Sequence, residues 1–183
     1  MTVAGVFLKK RRLRVGMLCV VVLTCVVMWR LSLMFGRATP DVGLVNGTLR
    51  PCPESPNCVC SLAPDALHQI KALRITGSAR QEWDRLQETI RRLARTRIVI
   101  RDDCYMHVEF TTALLRFVDD VEFLLDDAAG VIQIRSASRV GHSDLGTNRR
   151  RMEQLRQVFE RDLHSVPAED DAMQSRQPVQ ESL

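Results

Sequence analysis

Aromatic residues make up only 5% of this chain, and that scarcity excludes a nucleic-acid surface built on rows of stacked rings. Net charge is also scarce beyond the N-terminus. The formal total is +4 at pH 7, and the cluster Lys9, Lys10, Arg11, Arg12 and Arg14 accounts for the excess. The remainder is close to neutral, which argues against a polyanion-binding domain and against a nucleic-acid partner. No nucleophile elbow, Walker loop or H-E-x-x-H helix occurs, so the enzyme classes that those motifs define are not indicated. There is no internal repeat and no C-x2-C pair of the kind that zinc sites use.

What is there begins with a long apolar run. Val15 to Phe35 reads VGMLCVVVLTCVVMWRLSLMF, with Arg30 as its only charge. Its length suits a helix crossing a hydrocarbon core of ~30 Å. Trp29 suits an interfacial anchor, and Arg30 can snorkel to the headgroups. The basic cluster in front predicts a cytoplasmic N-terminus. The remainder would then lie outside, in the periplasm if the source is a Gram-negative bacterium, with the chain held in the inner membrane. Two rival readings use the same segment. Gly36-Arg37-Ala38 offers small residues for signal-peptide cleavage, and Cys25 offers a lipoprotein site, although Thr24 precedes it.

The 183 residues allow one domain with some length to spare. Residues 1–14 read as a basic cytoplasmic tail, 15–35 as a transmembrane helix and 36–50 as a flexible tether containing Gly36, Pro40, Gly43 and Gly47. Residues 51–165 read as the folded unit and 166–183 as a disordered polar tail. Within the unit, Trp83, Leu86, Ile90 and Leu93 recur at helical spacing over Gln81 to Arg95. Met152, Leu155, Phe159 and Leu163 do the same over Thr147 to Leu163. Between the helices lie a short strand, Ile98 to Ile100, and alternating segments over Tyr105 to Thr111, Phe117 to Leu125 and Val131 to Ser136. Asp126 to Gly130 is the turn of a hairpin. A further strand near Leu73–Ile75 is an open alternative. The expected fold is α+β: an antiparallel sheet of about four strands with two helices on one face, preceded by one transmembrane helix. Period-two alternation puts Tyr105, His107, Glu109, Asp120, Glu122, Gln133 and Arg135 together on the other face.

Cys52, Cys58 and Cys60 lie in PCPESPNCVC. In an oxidising compartment Cys52 and Cys58 could close a short loop that the prolines already favour. Cys60 competes with Cys58, and a C-x5-C-x-C metal site is the weaker reading.

Three motifs, CPESPNCVCS, FVDDVEF and IRSASRVGHSDLGTNRRRMEQLR, closely resemble the uncharacterised domain-of-unknown-function family 1499. The resemblance covers about residues 51–160. Cys60 departs from it, because the family pattern has Ser there. Members occur in bacteria and plastids, often with a membrane anchor or export signal, and the resemblance implies no established enzymatic activity; no cofactor is expected.

The long third motif sets Arg135, Arg139, Arg149 and Arg151 around a turn with Ser136, Ser138, Gly141, Asp144, Gly146 and Asn148. Arginine forks and the N-terminus of the last helix both favour anions. Arg135, Ser136, Ser138, Arg139, Asp144, Asn148 and Arg149 are therefore candidate binding residues for a small anionic ligand. The competing reading is structural: Asp119, Asp120, Glu122 and Asp144 neutralise these arginines and pin the turn to the sheet. A third reading is catalytic, with Asp120 and Glu122 on one strand face and His107 as base, with or without a metal. Three functions follow in order: a binding or interaction domain for an anionic ligand or an envelope partner, an enzyme, and a structural accessory subunit.

Overall fold

The computed structural model describes residues 15–30 and 40–163. The basic tail 1–14, positions 31–35 of the apolar run, Gly36-Arg37-Ala38 and the polar tail 166–183 lie outside the described residues. Residues 15–30 are helical (α1). The expected transmembrane helix over 15–35 is corrected: of that span residues 15–30 are described, and among the described residues no helix is long and apolar enough to cross a membrane.

The remaining elements run β1 (Leu44–Val45), β2 (Thr48–Leu49), β3 (Cys58–Cys60), β4 (Leu73–Arg74), α2 (Ala79–Arg92), β5 (Thr96–Arg101), β6 (Tyr105–Thr111), β7 (Val118–Asp126), β8 (Val131–Ser138) and α3 (Thr147–Leu163). Where about four strands are expected the sheet has six, all antiparallel, and the described residues hold three helices, α1 and the two expected beside the sheet. The sheet order is β3-β8-β7-β6-β5, with β4 also paired to β8. β3 lies against Arg135–Ala137 and β4 against Val131–Ile132, so the two short strands share one edge of β8. Two or three residues are too few to show an alternating pattern. These strands are specified by hydrogen bonding to β8, which is why periodicity missed β3.

The meander β5 to β8 follows from alternation. Met106, Val108, Phe110, Val121, Phe123, Ile132 and Ile134 line one face, and Trp83, Leu86 and Ile90 of α2 with Met152, Leu155 and Phe159 of α3 pack on it. Burying one such side chain contributes about 1.5–3 kcal/mol, so this two-layer core carries most of the fold's apolar gain. Gly130, with φ 64°, closes the β7–β8 turn where Asp126 accepts from the Ala129 N–H at 3.1 Å. The edge strand β5 carries a register irregularity between Ile98 and Ile100, which disfavours pairing with another chain.

The opposite face is also covered. Residues 40–50, read from the sequence as tether, hold the β1–β2 hairpin. They reach the sheet through the Gly43 N–H, which donates to Glu122 at 2.7 Å, and through the Asp41 carbonyl, which accepts from Arg135 at 3.1 Å. Leu49, Cys60, Ala63 and Tyr105 form a second small core there. The glycines that suggested flexibility instead supply the turn, with Gly43 and Gly47 at positive φ. Cys52 and Cys58 are disulfide-bonded, with Cα atoms 5.6 Å apart. Cys60 stays a buried thiol, held above its ordinary pKa chiefly by burial.

Candidate functional site

Strand register decides where the motif's charges go. His107, Glu122 and Arg135 are cross-strand neighbours, and so are Glu109, Asp120 and Ala137. The polar face therefore gathers as alternation predicts, but it is buried: His107 is 2% exposed, Asp120 3%, Glu122 0% and Arg135 2%. His107 Nε2 lies 2.7 Å from Asp120 Oδ1. Arg139 reaches back from the end of β8 and donates to both Asp120 oxygens at 2.7 Å and to Glu109. Glu109 also accepts from Arg97 at 2.7 Å. Burial works to raise the pKa of Asp120, but the hydrogen bonds from Arg139 and His107 outweigh it and hold the carboxyl below its ordinary value. Glu109 is held low in the same way, by Arg139 and Arg97 against burial. Glu122 accepts from Tyr105 at 2.8 Å and from Arg135 at 2.7 Å. Burial, then the bond to Glu122, raises the phenol pKa of Tyr105, so it serves as a neutral donor.

Asp119 points the other way, as alternation requires, and binds Arg151 of α3 at 2.5 Å. On that side Ser136 donates to Asn148 at 2.5 Å. Asn148 donates to Ser138 and to the Asn57 carbonyl, both at 3.0 Å. Asn57 in turn donates to the Gly141 carbonyl at 2.6 Å. The first motif is thus tied to the third. Arg149 donates to the carbonyls of Gln69 and Leu67 at 2.7 and 2.8 Å, clamping the loop after β3 to α3.

The N-terminus of α3 already has its anion. Asp144 accepts from Gly146 N–H at 2.9 Å and Asn148 N–H at 2.7 Å, using donors that an external anion would need. Gly146, at φ 75°, makes that turn possible. Of the candidate binding residues, Arg135 and Arg139 lie on one side of the sheet. Ser136, Ser138 and Asn148 lie on the other, Asp144 caps the helix and Arg149 faces a loop. The sheet itself divides them, so they form no single pocket. Of the candidate catalytic residues, Asp120 and His107 meet, while Glu122 belongs to a separate cluster with Tyr105 and Arg135. Among the described residues, no group of three or more His, Cys, Asp or Glu is placed to hold a metal ion.

Open space lies elsewhere. A groove of about 550 Å³ runs beside the first half of α3. Its walls include Leu93, Phe110, Leu155 and Val158, with Arg95, Arg150, Arg151, Thr111, Thr112 and Thr147. A cleft of about 290 Å³ adjoins it, shares Thr112 and Thr147, and reaches Asp119, Ser138 and Asp144. The Arg151 guanidinium sits 5.1 Å from the centre of the Phe110 ring, while among the described residues Arg150 donates to the Leu145 carbonyl and Thr147 hydroxyl. Sequence reasoning missed this groove. The run Arg149 to Arg151 was its one visible sign, because the apolar walls come from three distant segments.

The fold and the motif together define a small antiparallel α+β domain with a disulfide-closed entry, whose motif residues pack against one another. The chain belongs to the family described as "Protein of unknown function (DUF1499)", whose sequence model matches residues 48–159. Searches of curated proteins and of solved structures each found no match.

Proposed function

We propose that this domain is a non-catalytic binding module that holds a small organic anion with an apolar portion, such as a medium-chain carboxylate, in the groove beside α3. The observation that carries this reading is the groove's composition: Leu93, Phe110, Leu155 and Val158 are apolar, and Arg95, Arg150 and Arg151 stand with them. Arg95 and Arg150 have no carboxylate partner among the described residues. A guanidinium fork suits a carboxylate head, and the volume is that of ordinary ligand sites. The catalytic alternative is disfavoured because Asp120, Glu122 and His107 are at most 3% exposed, leaving a substrate no approach.

Thermal melts of the full chain with octanoate below its micellar concentration, octanol and inorganic phosphate test this. Octanoate should raise the melting temperature; a ligand at about 100 times its Kd stabilises by about 2.7 kcal/mol. Octanol and phosphate should do less, since each supplies one half of the recognition. Arg95→Ala with Arg150→Ala, both exposed, should melt like the parent without ligand and lose most of the octanoate response. Equal stabilisation by octanol, or none by octanoate, would overturn the reading.

A further inference from the structure

Three loops meet at one end of the sheet, where β5 begins, β6 ends, β7 begins and β8 ends: residues 93–95, 112–117 and 139–146. Each displays a side chain that folding alone does not explain. Leu114 is 88% exposed, Leu145 83% and Leu115 36%. Arg95, Arg116 and Leu145 adopt φ of 61°, 59° and 53°, a region costly for residues other than Gly, Asn or Asp. A loop under no other demand would place glycine there, as this chain does at Gly141 and Gly146. Here three strained positions hold two exposed arginines and an exposed leucine.

Charge has the same polarity. Arg95, Arg116 and Arg150 face solvent at this end without a carboxylate partner among the described residues. The one carboxylate within these loops, Asp144, is turned inward onto the cap of α3. At the opposite end the β5–β6 and β7–β8 turns carry Asp102, Asp103, Asp126 and Asp127 beside the exposed Arg74, Arg80 and Arg101, with Arg80 paired to Asp103 at 3.3 Å. The two ends therefore differ, with apolar tips among cations that lack carboxylate partners among the described residues at one and mixed charge at the other.

We infer that this pole is a docking surface for an anionic lipid bilayer, with Leu114, Leu115 and Leu145 entering the headgroup layer and Arg95, Arg116 and Arg150 on lipid phosphates. Exposed leucines set among arginines fit an interface that is apolar beneath and negative above. Nucleic acid would reward the cations and leave the leucines in water. This goes beyond the groove reading, with which it shares Arg95 and Arg150, and failure of the two can be told apart, because Leu114 and Leu145 line no part of the groove.

Hydrogen–deuterium exchange of the full chain, with and without vesicles, reads each loop separately from the N-terminal apolar run. Vesicles of phosphatidylcholine with phosphatidylglycerol should slow exchange at residues 113–116 and 142–146, and pure phosphatidylcholine should not. Leu114→Asp with Leu145→Asp should melt like the parent and lose the protection. On the unmodified chain, raising the salt concentration should remove it as well, which keeps the test valid should the double variant fold poorly. Equal protection by both vesicles, protection at the acidic turns, or none at either tip would overturn the inference. Equal protection by polyglutamate in free solution would also overturn it, in favour of an acidic macromolecular partner.

Discussion

Arg139 lies between Asp120 and Glu109 with a side chain only 7% exposed, so its loss leaves two carboxylates facing each other in a covered site. Arg139→Ala should destabilise the domain by about 3–5 kcal/mol, the cost of breaking a buried pair. Guanidine denaturation midpoints check this. A loss under about 1 kcal/mol would mean that the pair behaves like an exposed one. The same residues set the acid limit. The pKa values of Asp120 and Glu109 are held below their ordinary 3.8 and 4.5 in the folded chain. Depressed carboxylates contribute stability that is fully present above those ordinary values and is lost as pH falls through the depressed ones. Stability should therefore hold above about pH 5 and fall below about pH 4, with a shallower fall in Arg139→Ala. A pH profile in which the two chains fall in parallel would remove Arg139 from the explanation.

Among the elements, α3 shows how a feature that reads as an anion site can be closed by the chain itself. Its first turn offers free N–H groups, and Asp144 takes them. Asp144→Ala should cost about 1 kcal/mol, as loss of a cap does. It should also open the donors, so that sulfate stabilises the variant more than the parent. Denaturant titrations with and without sulfate check both points, and an equal sulfate response would show the donors to be free in the parent. The long elements were legible in the sequence for plain reasons. Trp83, Leu86 and Ile90 repeat at helical spacing, and Met106, Val108 and Phe110 alternate, so α2 and β6 could be read, and with them the membership of both sheet faces. Cys58–Cys60 and Leu73–Arg74 are too short for any period. The covering of the polar face by residues 40–50 depends on Gly43 and Asp41 meeting Glu122 and Arg135, 79 and 94 positions away. No local pattern encodes that. For this reason His107, Asp120 and Glu122 resembled an open polar face in the sequence and lie buried in the fold.

On the scale of the whole molecule, the motif residues and the groove divide the work. CPESPNC, FVDDVEF and the arginine-rich motif lock β3, the sheet and α3 together through Asn57, Asp119, Asp120, Ser136, Asn148 and Arg139. On the reading proposed above, Arg150 and the apolar walls beside it are left for a ligand. A motif this dense in polar groups reads as a site, yet most of its donors and acceptors are matched internally, as buried polar groups require. The central claim is that binding takes place beside α3 and not on the polar sheet face. Heteronuclear NMR of the labelled chain titrated with octanoate tests it directly. Amide shifts should concentrate at residues 93–95, 110–112 and 150–158, with those of 107, 120, 122 and 135 nearly still. Shifts centred on His107, Asp120 and Glu122 would contradict the claim and move the site to the buried polar face, whose role would then be more than structural.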